Sequence, residues 1–99
     1  MRKETIYETC VGNVLLLTGC ELNQLYESRR EDYVEARMLL VSWLIGYGFT
    51  EQEISKLSGM QQQRINHLKN EAIHRLTIRR PLLEMRKELS RMMADLLQK

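Results

Sequence analysis

Ninety-nine residues suit one small domain, and 43% hydrophobic with 28% charged residues excludes a disordered chain. The formal net charge of only +2 is unevenly spread: residues 1–59 hold six Lys and Arg against nine Asp and Glu, and residues 60–99 hold nine against four. β-branched residues never alternate with polar ones, which excludes a sheet, and a single Pro with five Gly leaves long helical runs.

Residues 3–17 read as a first helix. Ile6, Cys10, Val14 and Leu17 recur at helical spacing, and Gly19 fits just past its end. Leu17-Thr18-Gly19-Cys20 has the form of a lipobox behind a positive Met1-Arg2-Lys3 start. However, Glu4 and Glu8 are misplaced acids, and the apolar run Val14–Leu17 falls short of the roughly 7–15 residues of a signal core. The preferred reading is a cytoplasmic protein. Cys10 and Cys20 lack close Cys or His neighbours, so they make no zinc signature and are expected as reduced, semi-buried thiols.

Glu21–Ser28 reads as a second, short helix with Leu22, Leu25 and Tyr26 inward. Ser28-Arg29-Arg30-Glu31-Asp32 is the most polar junction of the front half. By itself it is a solvated connection; in a nucleic-acid binder it is an arginine pair for a phosphate or a minor groove. Glu31–Tyr47 is the longest apolar helix. Val34, Met38, Leu39, Leu40, Val41, Trp43, Leu44 and Ile45 cover nearly its whole circumference, which predicts a buried central post. It is too short, and too charged at its start, to span a membrane. Trp43 is read as core rather than as a stacking platform. Gly46 and Gly48 end the helix, and Phe49 leads onward.

Thr50–Leu76 is the organising stretch. Thr50 with Glu53 forms a capping box for a short helix whose apolar side is Ile54 and Leu57. Ser55 is small where two crossing helices approach. Gly59 supplies a left-handed turn residue, and Met60 plugs the angle between the helices. Ile65, Leu68, Ala72 and Leu76 form the inward stripe of a second helix, Gln61–Leu76. At about 100° per residue, Gln63, Asn66, His67, Asn70 and His74 point the other way, with Arg64 and Lys69 on the flanks. This spacing is that of a helix-turn-helix. Gln and Asn pair bidentately with adenine, and Arg pairs with guanine or phosphate.

Thr77–Arg80 interrupts the pattern, and Pro81 suits the first turn of a new helix. Leu82, Met85, Leu89, Met92 and Leu96 make a heptad-like seam, widened by Leu83, Met93 and Leu97. Two placements stay open: folding back on its own domain, or pairing as a homodimer through residues 81–98. Arg79, Arg80, Arg86, Lys87 and Arg91 make its open side basic. A membrane surface could attract such a helix, but nothing else supports that partner. There is no Gly-rich phosphate loop and no catalytic constellation. His67 and His74 stand about 10 Å apart on one helix, too far to share a metal without another element. No enzyme activity, cofactor or metal is expected.

The run Val14…Gly19…Leu22…Leu25…Arg29…Val34-Glu35-Ala36-Arg37…Leu44…Thr50…Glu53-Ile54-Ser55…Gly59 resembles the C-terminal DNA-binding domain of DnaA-type replication initiators, which belongs with the Trp repressor among helical helix-turn-helix folds. The similarity covers roughly residues 5–76. It implies that Arg29 and Arg30 lie in a basic loop that reaches the minor groove, and that Arg37, at the start of the long helix, lies near DNA. The family's Arg-Asp-His-Ser/Thr-Thr-Val run is replaced here by Met60-Gln61-Gln62-Gln63-Arg64-Ile65, so the fold carries over while the target sequence does not. The initiators' ATPase domain is also absent from these residues, so a stand-alone relative is the closer comparison.

The expectation is thus an all-α bundle of about five to six helices containing a helix-turn-helix. Residues 1–78 form the DNA-binding domain, and residues 79–99 a tail helix for packing or dimerisation. The partner is double-stranded DNA, with no membrane. Gln62, Gln63, Arg64, Asn66, His67 and Asn70 face base edges or flanking phosphates; Arg29, Arg30, Arg37, Lys56 and Lys69 hold the backbone. The rival is a helical protein-interaction adaptor without DNA, favoured by the acidic front half and the modest net charge.

Overall fold

The apolar run in the middle of the chain is the post the rest closes around. A computed structural model describes residues 1–98. Its helix α2, numbered in chain order, is Glu31–Tyr47, and it buries Tyr33, Ala36, Met38, Leu39, Leu40, Val41, Trp43 and Leu44. Around it stand α1 (Lys3–Thr18), α3 (Glu51–Ser58), α4 (Gln62–Ile78) and α5 (Arg80–Leu97), and each of the four packs against α2. Most of the described residues are helical, and they contain no strand. A helix apolar on every side must lose all its sides to neighbours, which is why α2 is central. Trp43 is core, and its ring stacks on Tyr47 with centroids 5.1 Å apart. No helix among the described residues is long and apolar enough to cross a membrane.

Gly19 closes α1 as expected. It sits at φ 73°, where a Cβ would be strained, and its N–H returns to the Leu15 carbonyl. The second helix expected over Glu21–Ser28 does not form. Only Leu22–Gln24 makes a single turn of 3-10 helix. Its backbone bonds run mostly three residues apart (Gln24 N–H to the Glu21 carbonyl, Leu25 N–H to that of Leu22), and the groups a short helix would leave unpaired are tied to α2. The Leu25 carbonyl accepts from Arg37 Nη1 at 2.7 Å. The Glu21 N–H is likewise taken by the Tyr33 hydroxyl at 2.9 Å. Leu25 is fully buried and Tyr26 half-buried, as the sequence predicts, but Leu22 points out and is 59% exposed.

Of the two placements open to the last helix, α5 takes the first. Leu82, Leu89 and Met93 are fully buried against α1, α2 and α4, so α5 shares the core of residues 1–78. Met93, not Met92, takes the inward place; Met92 is half-buried. Arg86 also departs from the expected basic outer side. It lies part-buried, with Nε donating to Ser42 Oγ at 3.1 Å and Nη1 to Ser90 Oγ. Burial holds its guanidinium below the usual arginine range.

Helices α4 and α5 meet with one residue between them. Arg79 has φ −109° and ψ 101°, ends α4 and opens α5. It is fixed by buried Glu35 of α2 in a two-pronged contact: Nε stands 2.5 Å from Oε2, and Nη2 donates to Oε1 at 3.0 Å. Arg75, one turn earlier, pairs with Glu31 and stands 3.8 Å from Glu35. Neither Glu35 nor Arg75 is marked by the periodicity of the sequence.

Candidate functional site

The surface of interest is built by α3, the turn after it, and α4. The capping box forms in full: Thr50 Oγ1 accepts from the Glu53 N–H at 3.1 Å, and Glu53 Oε1 accepts from the Thr50 N–H at 2.9 Å. Lys3 pairs with Glu53, tying the start of α1 to α3. That ion pair, with the Thr50 N–H beside it, holds the Glu53 carboxyl below the ordinary carboxylate range.

Gly59 makes the turn at φ 80°. Ser55 does more than leave room for a crossing helix. Its hydroxyl donates to the Met60 carbonyl at 2.6 Å, while the Met60 N–H donates to Ser58 Oγ at 3.0 Å. The turn is therefore stitched from the α3 side, and Met60 is buried in the angle.

Helix α4 is braced by Ile65 and Ala72, both fully buried, and by Leu68. Burying side chains such as Ile65 and Leu68 contributes roughly 1.5–3 kcal/mol each. Their opposite side is open: Gln62, Gln63, Arg64, Asn66, His67, Asn70 and His74 are all exposed. The first turn of α4 has no side-chain cap and no acidic residue, so its backbone N–H groups face outward beside Arg64.

The exposed amides are partly pre-arranged. Glu51, in the first turn of α3, accepts from Asn66 Nδ2 at 3.0 Å and from Lys69 Nζ at 2.7 Å. Asn66 Oδ1 in turn accepts from Asn70 Nδ2 at 3.3 Å. Hydrogen bonds from Lys69 first, then from Asn66, hold the Glu51 carboxyl below its usual range. The sequence reading did not find Glu51. It lies 15 and 18 residues from its partners, across a turn whose angle the sequence does not give. As a result Lys69 is half-buried and engaged, rather than a free phosphate contact.

Among the arginines, Arg29 and Arg30 are exposed at the start of α2. Arg30 pairs with Asp32 at 3.0 Å and lies over the Tyr33 ring. Lys56 is exposed on α3. Arg37 is not available as a backbone contact: it is 4% exposed, its Nη1 donates to the Leu25 carbonyl, and its Nε is buried without a hydrogen-bond partner. Burial first, and the positive charge of Arg64 second, hold it below the usual arginine range. Arg37 is thus a strut. It ties the loop before Arg29 to α2, close to the opening turn of α4. The position was legible; the direction of its side chain was not.

His67, Asn70, Glu71 and His74 line a shallow hollow on α4. No group of three or more potential metal ligands comes together among the described residues. Comparison with known proteins returns no matching family model, no similar curated protein and no similar solved structure.

Proposed function

We propose that the chain binds double-stranded DNA through α4, with α3 and α4 acting as a helix-turn-helix and α4 entering the major groove. The observation that carries the reading is the open amide-rich side of a helix firmly braced from behind. Gln62, Gln63, Asn66, His67 and Asn70 offer donors and acceptors to base edges. Arg64 and the uncapped first turn offer positive charge and N–H groups to a phosphate. Arg29 and Arg30 hold backbone from the loop that Arg37 supports. The likeness to DnaA-type initiator domains supports the same choice of helix, while the Gln-rich opening of α4 implies a different target.

The test is selection from a random duplex library, followed by titration of the selected site. Gln63→Ala with His67→Ala is expected to cost about 1–3 kcal/mol per lost base contact and to leave the far-UV spectrum unchanged. Affinity should fall steeply as salt rises, since bound phosphates release counterions. A double variant that binds the selected site normally would sink the placement of α4. The rival, an adaptor without DNA, is favoured by one observation, the apolar groove beside α1 that α4 does not share; binding insensitive to salt would favour it.

A further inference from the structure

Two of the amides on the open side of α4 have a fixed polarity. A side-chain amide exchanges its oxygen and nitrogen by a half-turn, so which end it presents is set by whatever holds it. Here the chain of bonds starts from a group that cannot donate. Glu51, ionised, only accepts; its side chain is 20% exposed and is held by Lys69 Nζ at 2.7 Å and Asn66 Nδ2 at 3.0 Å. Asn66 must therefore turn its nitrogen toward α3 and its oxygen along α4. That oxygen accepts from Asn70 Nδ2 at 3.3 Å, one turn on. Asn70 is exposed and keeps its Oδ1 and one N–H free.

We infer that Glu51 is a positioning residue for base readout: through Asn66 it fixes Asn70 as one acceptor beside one donor, the combination that pairs bidentately with adenine. The inference rests on α4 entering the major groove. Adenine shows an amino donor and the N7 acceptor there, whereas guanine shows two acceptors, O6 and N7. With the bonds reversed, Asn70 would accept from Asn66 and present both of its N–H groups, which suits guanine. The two polarities thus select different purines, and a carboxylate on the neighbouring helix decides between them without touching the base. Neutralising Glu51 has two separable effects. It frees Lys69 for phosphate, which acts on all sequences alike, and it releases the polarity of the amides, which acts at one base.

The experiment is selection from a random duplex library by the full chain and by Glu51→Gln, which keeps the side chain's shape but can donate as well as accept. The wild type should prefer adenine over guanine at one position of its site by roughly tenfold or more, and Glu51→Gln should narrow that ratio to about two-fold. Asn66→Ala, at an exposed helical position, cuts the same chain of bonds without touching the start of α3 and should narrow the ratio alike. Asn70→Ala should abolish the preference at that same position. Adding Asn66→Asp to Glu51→Gln puts an acceptor-only group back beside Asn70, and should restore the adenine preference at lower overall affinity. In the free chain, the Asn70 side-chain amide signals should shift on Glu51→Gln, although the two residues share no hydrogen bond. Circular dichroism checks that each variant folds. Wild-type base preference in Glu51→Gln and Asn66→Ala, or a double variant that fails to restore it, would overturn the role of Glu51 and leave the DNA reading standing. Unshifted Asn70 signals would do the same. A wild-type chain that selects no site would overturn both.

Discussion

Cutting the joint between α4 and α5 from its two sides should give unequal losses. Glu35 is the buried partner, with its side chain 7% exposed, whereas the Arg79 side chain is 47% exposed. Arg79→Ala strands a carboxylate in the interior with Arg75 Nη1 as its nearest cation, 3.8 Å away. Removing one partner of a fully buried pair costs about 3–5 kcal/mol; the half-exposed arginine and the remaining Arg75 reduce this to about 2 kcal/mol. Glu35→Ala strands nothing, because Arg79 can turn to water, and about 1 kcal/mol is the expected loss. For a domain of this size, a loss of about 2 kcal/mol lowers Tm by roughly 8–16 °C. Urea denaturation followed by circular dichroism measures both variants, and the double variant should resemble Glu35→Ala alone. Equal losses, or a larger loss for Glu35→Ala, would refute the argument that desolvation of the carboxylate sets the order.

Three further outcomes are expected. Ser55→Ala leaves the Met60 carbonyl without its hydroxyl partner and should cost about 1 kcal/mol in urea denaturation, with the helix content kept. Glu51→Ala frees Lys69 and Asn66; if α4 meets DNA, affinity for random duplex should rise and the salt slope steepen by about one, and an unchanged slope would count against Lys69 reaching phosphate. Burial pushes the Cys10 thiol up from 9.0 to about 12, and burial followed by the hydrogen bond with Tyr26 raises the Tyr7 phenol as well. Both are acids whose folded pKa is raised, so their stabilising effect is full below the unfolded pKa and is lost as pH rises through the folded one. Stability should therefore fall from about pH 9 toward pH 12, and Cys10→Ala should remove part of that fall. An alkaline profile unchanged by Cys10→Ala would contradict the assignment.

Much of the fold is legible because the chain follows local rules. The all-round apolar Val34–Ile45 run predicts the central post, and Thr50, Glu53 and Gly59 predict both ends of α3, since caps and left-handed turns are properties of neighbours in sequence. The reading fails where a distant group outbids a local one. Arg37 and Tyr33 of α2 tie down the Leu25 carbonyl and the Glu21 N–H, and the segment that Leu22, Leu25 and Tyr26 suggest as a helix makes a single 3-10 turn. Glu51 takes Lys69 and Asn66, which spacing alone leaves free. The widened stripe of α5 fits folding back and pairing equally well, because both bury the same side chains. The open side of α4 was legible as a pattern of residues. The ion pairs that orient part of it were not, because they depend on the angle between two helices.

The joint at Arg79 also sets the phase of α5. With a single non-helical residue between the two rods, there is no slack to absorb a change of length. One extra residue placed just after Arg79 would turn α5 by about 100° and advance it by about 1.5 Å. Leu82, Leu89 and Met93 would then leave the interior together. The two helices are geared, and natural variation in length should be rejected at this point far more strictly than in the turn of Leu22–Gln24.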